Sequence, residues 1–202
     1  MKKILFILMI LVSVTLCACG KETNKVNNDN TDKTENNETS KRFEDLTMTR
    51  RIGSIDDVWV DLPNWTEDGS ETCTVVSKLN YYIVALISSE DYSFDELFNN
   101  IAKSDLRHFV DRGTYEDFLP ETKEVTLSSG IKATKFEGTL RLEDYGDKYE
   151  YPAYGYYFKF NNYPVMIMSI ETDTLSTNNS ETERLTTNKY VDEIVQTVRN
   201  TK

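Results

Sequence analysis

Apolar residues recur at every second position in several segments of the chain, which is the pattern of β-strands with one buried face. In SIDDVWVDLPNW, Val58, Val60 and Leu62 alternate with polar residues, and Pro63 ends the run. Two other runs, YYIVALIS and PVMIMSIE, are apolar at odd and even positions alike. A strand that is apolar on both faces must be covered on both sides, so we expect these two strands in the centre of a covered sheet.

Further strands are predicted in CTVVSKL, KEVTLSS, IKATKFEGTLRLE and YPAYGYYFKF. In IKATKFEGTLRLE, the apolar positions change parity between Ala133 and Phe136. A change of parity reverses which face is buried, so the pattern predicts a β-bulge between these two residues. A turn at Asn161–Pro164 joins YPAYGYYFKF to PVMIMSIE.

Two segments carry the signature of a helix start, with a serine followed three residues later by glutamate. The first, Ser93 to Glu96, opens a predicted helix that reaches about Arg107. The second begins at Ser180 and opens a closing helix that ends near Asn200. The apolar stripe of this closing helix consists of Val191, Ile194, Val195 and Val198.

The predicted order of elements is three strands, a helix, about four strands and a helix. Strands that follow one another in hairpins favour an antiparallel sheet. Since the two-sided strands need cover on both faces, we predict an α+β fold. In that fold, an antiparallel sheet of about six or seven strands has helices on both faces, as an α/β/α sandwich.

The chain from about residue 50 to residue 200 resembles the PsbP/DcrB-like family in this order of elements. The segments that carry the resemblance are VDLPNW, SGIKATKFEG, YGYYFKFNNYPVMIMSI and VDEIVQTVRN. The resemblance implies the same sandwich and an accessory or binding role rather than catalysis. It supplies no shared catalytic motif, so no catalytic residue is assigned.

The first residues form a secretory signal peptide, with Lys2 and Lys3 ahead of the apolar run ILFILMILVSVTL. The run is shorter than the roughly 20 residues that a membrane-spanning helix needs. It ends in LCAC, which resembles the lipobox of bacterial lipoproteins. The resemblance implies cleavage after residue 18 and a diacylglyceryl thioether on Cys19. The alternatives are a plain secreted protein and a Cys-X-Cys metal site.

Residues 19–43 are dominated by Asn, Thr, Glu and Lys, with Val26 as an isolated apolar residue. Such a composition cannot bury enough surface to fold, so we predict a lipidated cysteine followed by a disordered tether. Residues 44–202 then form a single α+β domain. The expected location is the outer face of the bacterial cytoplasmic membrane.

The charge of the chain limits its partners. The formal net charge is −11 and becomes −13 once Lys2 and Lys3 leave with the signal peptide. An acidic surface is repelled by nucleic acid, so we expect no nucleic-acid partner. The expected partners are the membrane, through the lipid anchor, and an envelope protein or a small ligand, bound by a monomer.

Candidate chemistry is sparse. Cys73 stays unpaired after lipidation of Cys19, so no intramolecular disulfide forms, and its strand-like context predicts a buried residue. His108, the single histidine, lies near a predicted helix end, where a cation favours the helix dipole. Asp144, Asp147 and Glu150 match no calcium-loop spacing and are interpreted as solvated. We therefore predict no cofactor and no metal.

Seven tyrosines lie between Tyr145 and Tyr163. Tyr154, Tyr156, Phe158 and Phe160 share one face of a strand and are predicted to pack under a helix. Tyrosines in an exposed patch bind partners at low entropic cost. The candidate binding patch consists of Tyr145, Tyr149 and Tyr151.

These features favour a lipid-anchored, non-catalytic accessory or binding domain. The alternative is a cell-envelope hydrolase that uses a pair of carboxylates. A deep cleft with two facing buried carboxylates favours the enzyme, whereas a shallow aromatic groove favours binding. A solute-binding component of a transporter is disfavoured, because about 160 residues hardly make two lobes.

Overall fold

The computed structural model describes residues 46–103, 114–144, 146–172 and 181–201. Strands account for 53% of the structure and helices for 18%, so the protein is mostly β. The predicted signal peptide, Cys19 and the tether lie outside the described residues, as does His108.

The ten strands are β1 (Met48–Arg51), β2 (Trp59–Leu62), β3 (Thr66–Gly69), β4 (Cys73–Lys78), β5 (Tyr81–Ile87), β6 (Thr114–Phe118), β7 (Glu121–Thr126), β8 (Lys132–Asp144), β9 (Asp147–Phe160) and β10 (Tyr163–Glu171).

Eight of these strands form one antiparallel sheet in the order β3-β4-β5-β10-β9-β8-β6, with β7 also paired to β8. β5 and β10, the strands that are apolar on both faces, pair with each other in the middle of the sheet. β1 and β2 form a separate two-stranded ribbon, in which Met48 pairs with Leu62 and Arg51 with Trp59.

The helices are short. α1 (Phe94–Leu97) begins at the predicted capping box, where Ser93 Oγ accepts from the Glu96 amide at 3.4 Å and Glu96 Oε2 accepts from the Ser93 amide at 2.8 Å. It continues as one π-helical turn, Phe98–Ala102. α2 (Glu181–Ile194) ends in a 3₁₀ turn, Val195–Thr197. Within the described residues, no helix has the length and apolar character needed to cross a lipid bilayer.

The sheet separates two hydrophobic cores. On the face beneath α2, the core includes the fully buried Val60 and Leu62 of the ribbon and Val58, which directly precedes β2, as the alternation predicted. Tyr154, Tyr156 and Phe158 belong to the same core, which confirms that they pack under a helix. On the face beneath α1, the second core includes Leu97, Phe98, Phe136, Leu140 and Met168. Cys73 also lies in this second core and is 1% exposed, which confirms its predicted burial.

The predicted bulge in β8 is wrong. β8 pairs with β9 in unbroken register from Ala133 opposite Phe158 to Asp144 opposite Asp147. Ala133 belongs to the core beneath α2, whereas Phe136 belongs to the core beneath α1. The parity changes because the two ends of β8 bury opposite faces. The irregular register lies in β6 instead, between Tyr115 and Asp117.

The predicted α/β/α sandwich is also wrong, since the structure is mostly β and its sheet is not covered by helices on both faces. Strands that are apolar on both sides require cover, but the cover need not be helical. On one side, the β1–β2 ribbon supplies part of it beside α2. On the other, the described cover is α1 with its π-helical turn, together with aromatic side chains such as Phe118.

The end of the described chain is fastened to the ribbon. Arg199 exchanges two backbone hydrogen bonds with Trp59, at 2.8 and 3.0 Å. Its guanidinium donates to both carboxylate oxygens of Asp61, at 2.7 and 2.9 Å. Burial would raise the pKa of Asp61, but the hydrogen bonds from Arg199 and Thr49 outweigh it and lower that pKa below its ordinary value.

Candidate functional site

A shallow groove of about 940 Å³ opens beside the turn between β4 and β5. We call it the tip groove. Its lining includes Pro63, Asn64, Trp65, Lys78, Leu79 and Tyr190. Of the described residues that line it, Lys78 alone is charged, although the whole chain has 34 acidic residues against 23 Lys and Arg. The groove is therefore an aromatic and weakly basic surface on an acidic protein.

Leu79 is the most unusual residue of the tip groove. Its side chain is 79% exposed, and its backbone has a φ of +55°. A two-residue hairpin turn with positive φ ordinarily carries Gly, Asn or Asp. The turn is held in place, because the Asn80 carbonyl accepts from the Thr172 amide at 2.9 Å. Strained backbone of this kind clusters at functional positions.

Trp65 and Tyr190 form the aromatic part of the tip groove. Their ring centroids are 5.5 Å apart and their planes meet at 71°, an edge-to-face contact. Pro63 ends β2, and its carbonyl accepts from the Trp65 amide at 2.8 Å, which forms a tight turn. This turn and the position of α2 bring the two rings, both partly exposed, to the same surface.

A second concave site, of about 170 Å³, lies between α2 and the sheet. We call it the helix cleft. Successive side chains of a strand point to opposite faces, so Ser169 and Glu171 of β10 point to the same side of the sheet. Tyr81 of β5 and Tyr154 of β9 line the cleft beside them, and Arg184, Thr187 and Asn188 of α2 form its other wall.

The helix cleft contains charged groups whose hydrogen bonding is incomplete. Glu171 is 9% exposed, and its hydrogen bond from Tyr81 Oη is long, at 3.5 Å. Arg184 Nε is buried and has no hydrogen-bond partner among the described residues. Within the same part of the chain, no ion pair joins Arg184 to Glu171. Buried charged groups are costly unless they are paired, and no described Lys, Arg, Asp or Glu forms an ion pair with either group.

Next to the helix cleft, Asp192 ties α2 to the sheet. Tyr154 and Tyr156 both donate their hydroxyl protons to Asp192 Oδ1, and Lys135 Nζ lies 3.4 Å from the same oxygen. Burial, followed by the hydrogen bond to Asp192, raises the pKa of each tyrosine. Burial would lower the pKa of Lys135, but Tyr156 and the charge of Asp192 raise it overall.

The predicted binding patch is partly described. Tyr149 is half-buried, Tyr151 is 4% exposed, and their rings stack at 6.3 Å against the core beneath α1. Tyr145 lies outside the described residues, so the patch stays a prediction. Glu150 pairs with Arg141 at 3.2 Å. Among the described residues, no group of three or more His, Cys, Asp or Glu could hold a metal ion.

Sequence reasoning did not single out Leu79, Trp65 as a groove residue, or Arg184. Leu79 ends the predicted strand CTVVSKL, and Asn80 alone separates it from the predicted strand YYIVALIS. A leucine at such a junction was an available signal, because turns favour small polar residues. For Arg184, no signal was available, since its burial depends on how α2 packs against β10.

No family model matches the chain, and a search of curated proteins finds no match. Among solved structures, a protein of unknown function from Pseudomonas aeruginosa is similar, with 7% sequence identity and a TM-score of 0.34. The similarity covers 70% of this chain and 93% of the other. A similarity this low carries no argument about fold or function.

Proposed function

We propose that this protein is a non-catalytic, lipid-anchored binding domain on the outer face of the bacterial cytoplasmic membrane. In this proposal, the tip groove holds an envelope protein. The observation that carries it is Leu79, a large aliphatic residue that is 79% exposed on a backbone of positive φ. It contributes little to the core while its backbone is strained, which is the arrangement expected of a contact residue.

The chemistry of the tip groove supports a protein partner. Burying an exposed leucine contributes about 1.5–3 kcal/mol, and Trp and Tyr are enriched among the residues that dominate binding energy. Trp65 and Tyr190 lie in the same groove as Leu79. Lys78 adds one positive charge, which favours a partner segment that is apolar with an acidic neighbour.

The anchor rests on the sequence. LCAC follows a short apolar run, and a polar tether separates Cys19 from the domain. One acyl chain holds a protein only marginally, whereas two chains hold it stably. A diacylglyceryl group on Cys19 would therefore be sufficient to keep the domain at the membrane.

The carboxylate-pair hydrolase is the weaker proposal. Glu137 and Glu171 both line the helix cleft, but the Glu137 side chain is exposed. The hydrolase hypothesis expects two buried carboxylates that face each other in a deep cleft. An exposed Glu137 does not meet this expectation, so the cleft does not favour acid–base catalysis.

The proposal is tested by recovery of partners from solubilised bacterial membranes with the intact lipoprotein. We expect Leu79→Ser to recover a reproducible partner at least several-fold less well than the wild type. The matched control is Leu119→Ser, because Leu119 is 77% exposed and does not line the tip groove. If no partner is recovered, or if both variants behave alike, the tip groove is not the binding site.

The anchor is tested separately. Replacement of Cys19 by Ala removes the sulfur that carries the lipid, so we expect the protein to move from the membrane fraction to the medium. Immunoblots of the two fractions measure this change. Retention of Cys19→Ala in the membrane fraction would contradict lipidation at this residue without bearing on the groove.

A further inference from the structure

We propose that the helix cleft is a second binding site, which takes a small zwitterion of the size of a free amino acid. The cleft lies between α2 and the face of the sheet that α2 covers, and none of its lining residues belongs to the tip groove. The proposal is therefore independent of the function assigned to that groove.

Arg184 provides the site for a negative group. Arg184 lines the cleft, and its Nε is buried and has no hydrogen-bond partner in the described part of the chain. A guanidinium binds a carboxylate through two parallel hydrogen bonds. A ligand carboxylate would supply the acceptor that Arg184 lacks.

Glu171 provides the site for a positive group. It is 9% exposed, and its hydrogen bond from Tyr81, at 3.5 Å, is too long to compensate a buried carboxylate. No Lys or Arg of the described chain forms an ion pair with it. A ligand ammonium would pair with this carboxylate, and Glu137 at the edge of the cleft adds a second negative charge on the same side.

The two charged groups face one space without forming an ion pair with each other. A simple anion would satisfy Arg184 but would be repelled by Glu171, and a simple cation would meet the reverse problem. A molecule with both charges satisfies both groups at once. Asn188 also lines the cleft, and its Oδ1 accepts from Ser169 Oγ at 2.9 Å, which fixes the orientation of the amide.

The size of the helix cleft limits the ligand. At about 170 Å³, the cleft is smaller than the roughly 300–1,000 Å³ of sites for drug-sized molecules. A free amino acid with a small side chain is the class that combines this size with the two charges.

The test is isothermal titration calorimetry of the folded protein with a panel of free L-amino acids that includes glycine and L-alanine. Propionate and ethylamine serve as partial ligands, because propionate is alanine without its ammonium group and ethylamine is alanine without its carboxylate. We expect at least one amino acid to bind, and each partial ligand to bind about tenfold or more weakly. Absence of binding by every amino acid, or equal binding by propionate, overturns the proposal.

Two variants locate the ligand. Glu171→Gln removes one charge with little change in volume, and Arg184→Gln removes the guanidinium with its charge. Both are expected to weaken amino-acid binding by about tenfold or more. Lys189→Gln is the matched control, because Lys189 is exposed on the same helix outside the cleft. Circular dichroism and the midpoint of thermal unfolding verify that each variant is folded. If both cleft variants bind as tightly as Lys189→Gln does, the ligand does not occupy the cleft.

Discussion

Substitution of Asp192 by Ala tests how α2 is held to the sheet. Asp192 Oδ1 accepts from the hydroxyls of Tyr154 and Tyr156 and lies 3.4 Å from Lys135 Nζ. The two tyrosine residues are 7% and 6% exposed, so water has only limited access to them. Alanine at position 192 leaves two buried hydroxyls without their acceptor and one ammonium without its partner.

The magnitude follows from these contacts. A hydrogen bond to a charged group contributes about 1.5–3 kcal/mol. The side chains of Lys135 and Asp192 are 33% and 40% exposed, so their ion pair adds at most about 1 kcal/mol, and water replaces part of the lost bonding. We therefore expect Asp192→Ala to lower the free energy of unfolding by about 2–3 kcal/mol. In a chain of this size, that corresponds to a fall in Tm of about 4–12 °C.

Urea unfolding monitored by tryptophan fluorescence measures the change, and an unchanged m-value shows that the surface exposed on unfolding is the same. Asp57→Ala is the control, because the Asp57 side chain is 76% exposed and lies 3.7 Å from Arg51. Asp192→Asn retains one acceptor oxygen and should lose less than Asp192→Ala. A loss below about 0.5 kcal/mol in Asp192→Ala, as for an ordinary surface substitution, would refute the assigned role of this carboxylate.

Four further outcomes are expected from urea unfolding of single variants. Burial and Asp192 raise the pKa of Tyr154 above its ordinary value of 10.0, so the protonated Tyr154 hydroxyl stabilises the folded protein below pH 10.0 and this stabilisation is lost as pH rises. Tyr154→Phe should therefore show a shallower loss of stability above pH 10.0 than the wild type. Leu79→Gly should raise the free energy of unfolding by about 0.5 kcal/mol, since glycine relieves the positive φ at a small entropic cost. Gly155→Ala should cost about 1–3 kcal/mol, because a Cβ there would lie 2.5 Å from the Ile167 carbonyl oxygen. Arg199→Ala should cost about 1–2 kcal/mol at neutral pH. Because Arg199 lowers the pKa of Asp61 in the folded protein, this cost should shrink as pH falls below 3.8 and vanish only below the lowered pKa, where Asp61 is protonated in both states.

Local patterns in the sequence were sufficient to place most elements. The alternation of Val58, Val60 and Leu62 identified the buried face of β2. The serine and glutamate of the capping box identified the start of α1. Both signals depend on residues within a few positions of one another, and these are the interactions that a single sequence displays.

The errors arose where distant segments meet. The parity change in β8 has two physical causes, a bulge or a change of the covered face, and the sequence does not distinguish them. The register of β8 against β9 shows the second. Likewise, a strand that is apolar on both faces predicts that both faces of the sheet are covered, but it does not predict which element covers them. The β1–β2 ribbon was not predicted as cover, since the β1 segment, MTRR, has no marked apolar pattern.

The candidate sites were the least predictable part. The exposure of Leu79 depends on a turn whose geometry favours glycine, and the orphan Nε of Arg184 depends on the packing of α2. The tyrosine content of the segment from Tyr145 to Tyr163 predicted a binding patch there. Its Tyr151 is buried and its Tyr154 and Tyr156 bind Asp192, so much of that composition serves packing.

The separate ribbon has a mechanical consequence. β1 pairs with β2 through four residues, and β1 is the first strand of the described chain. Tension applied through the residues that precede Leu46 would therefore act first on these four pairs and on the two side-chain contacts of β1 with the sheet, Arg50 with Glu67 and the Arg51 carbonyl with Thr74. β2 is also joined to Arg199, so a pull on the domain would be resisted by the far end of the chain. β1 can thus separate from β2 without loss of a lining residue from either candidate site, because no residue of β1 lines the tip groove or the helix cleft.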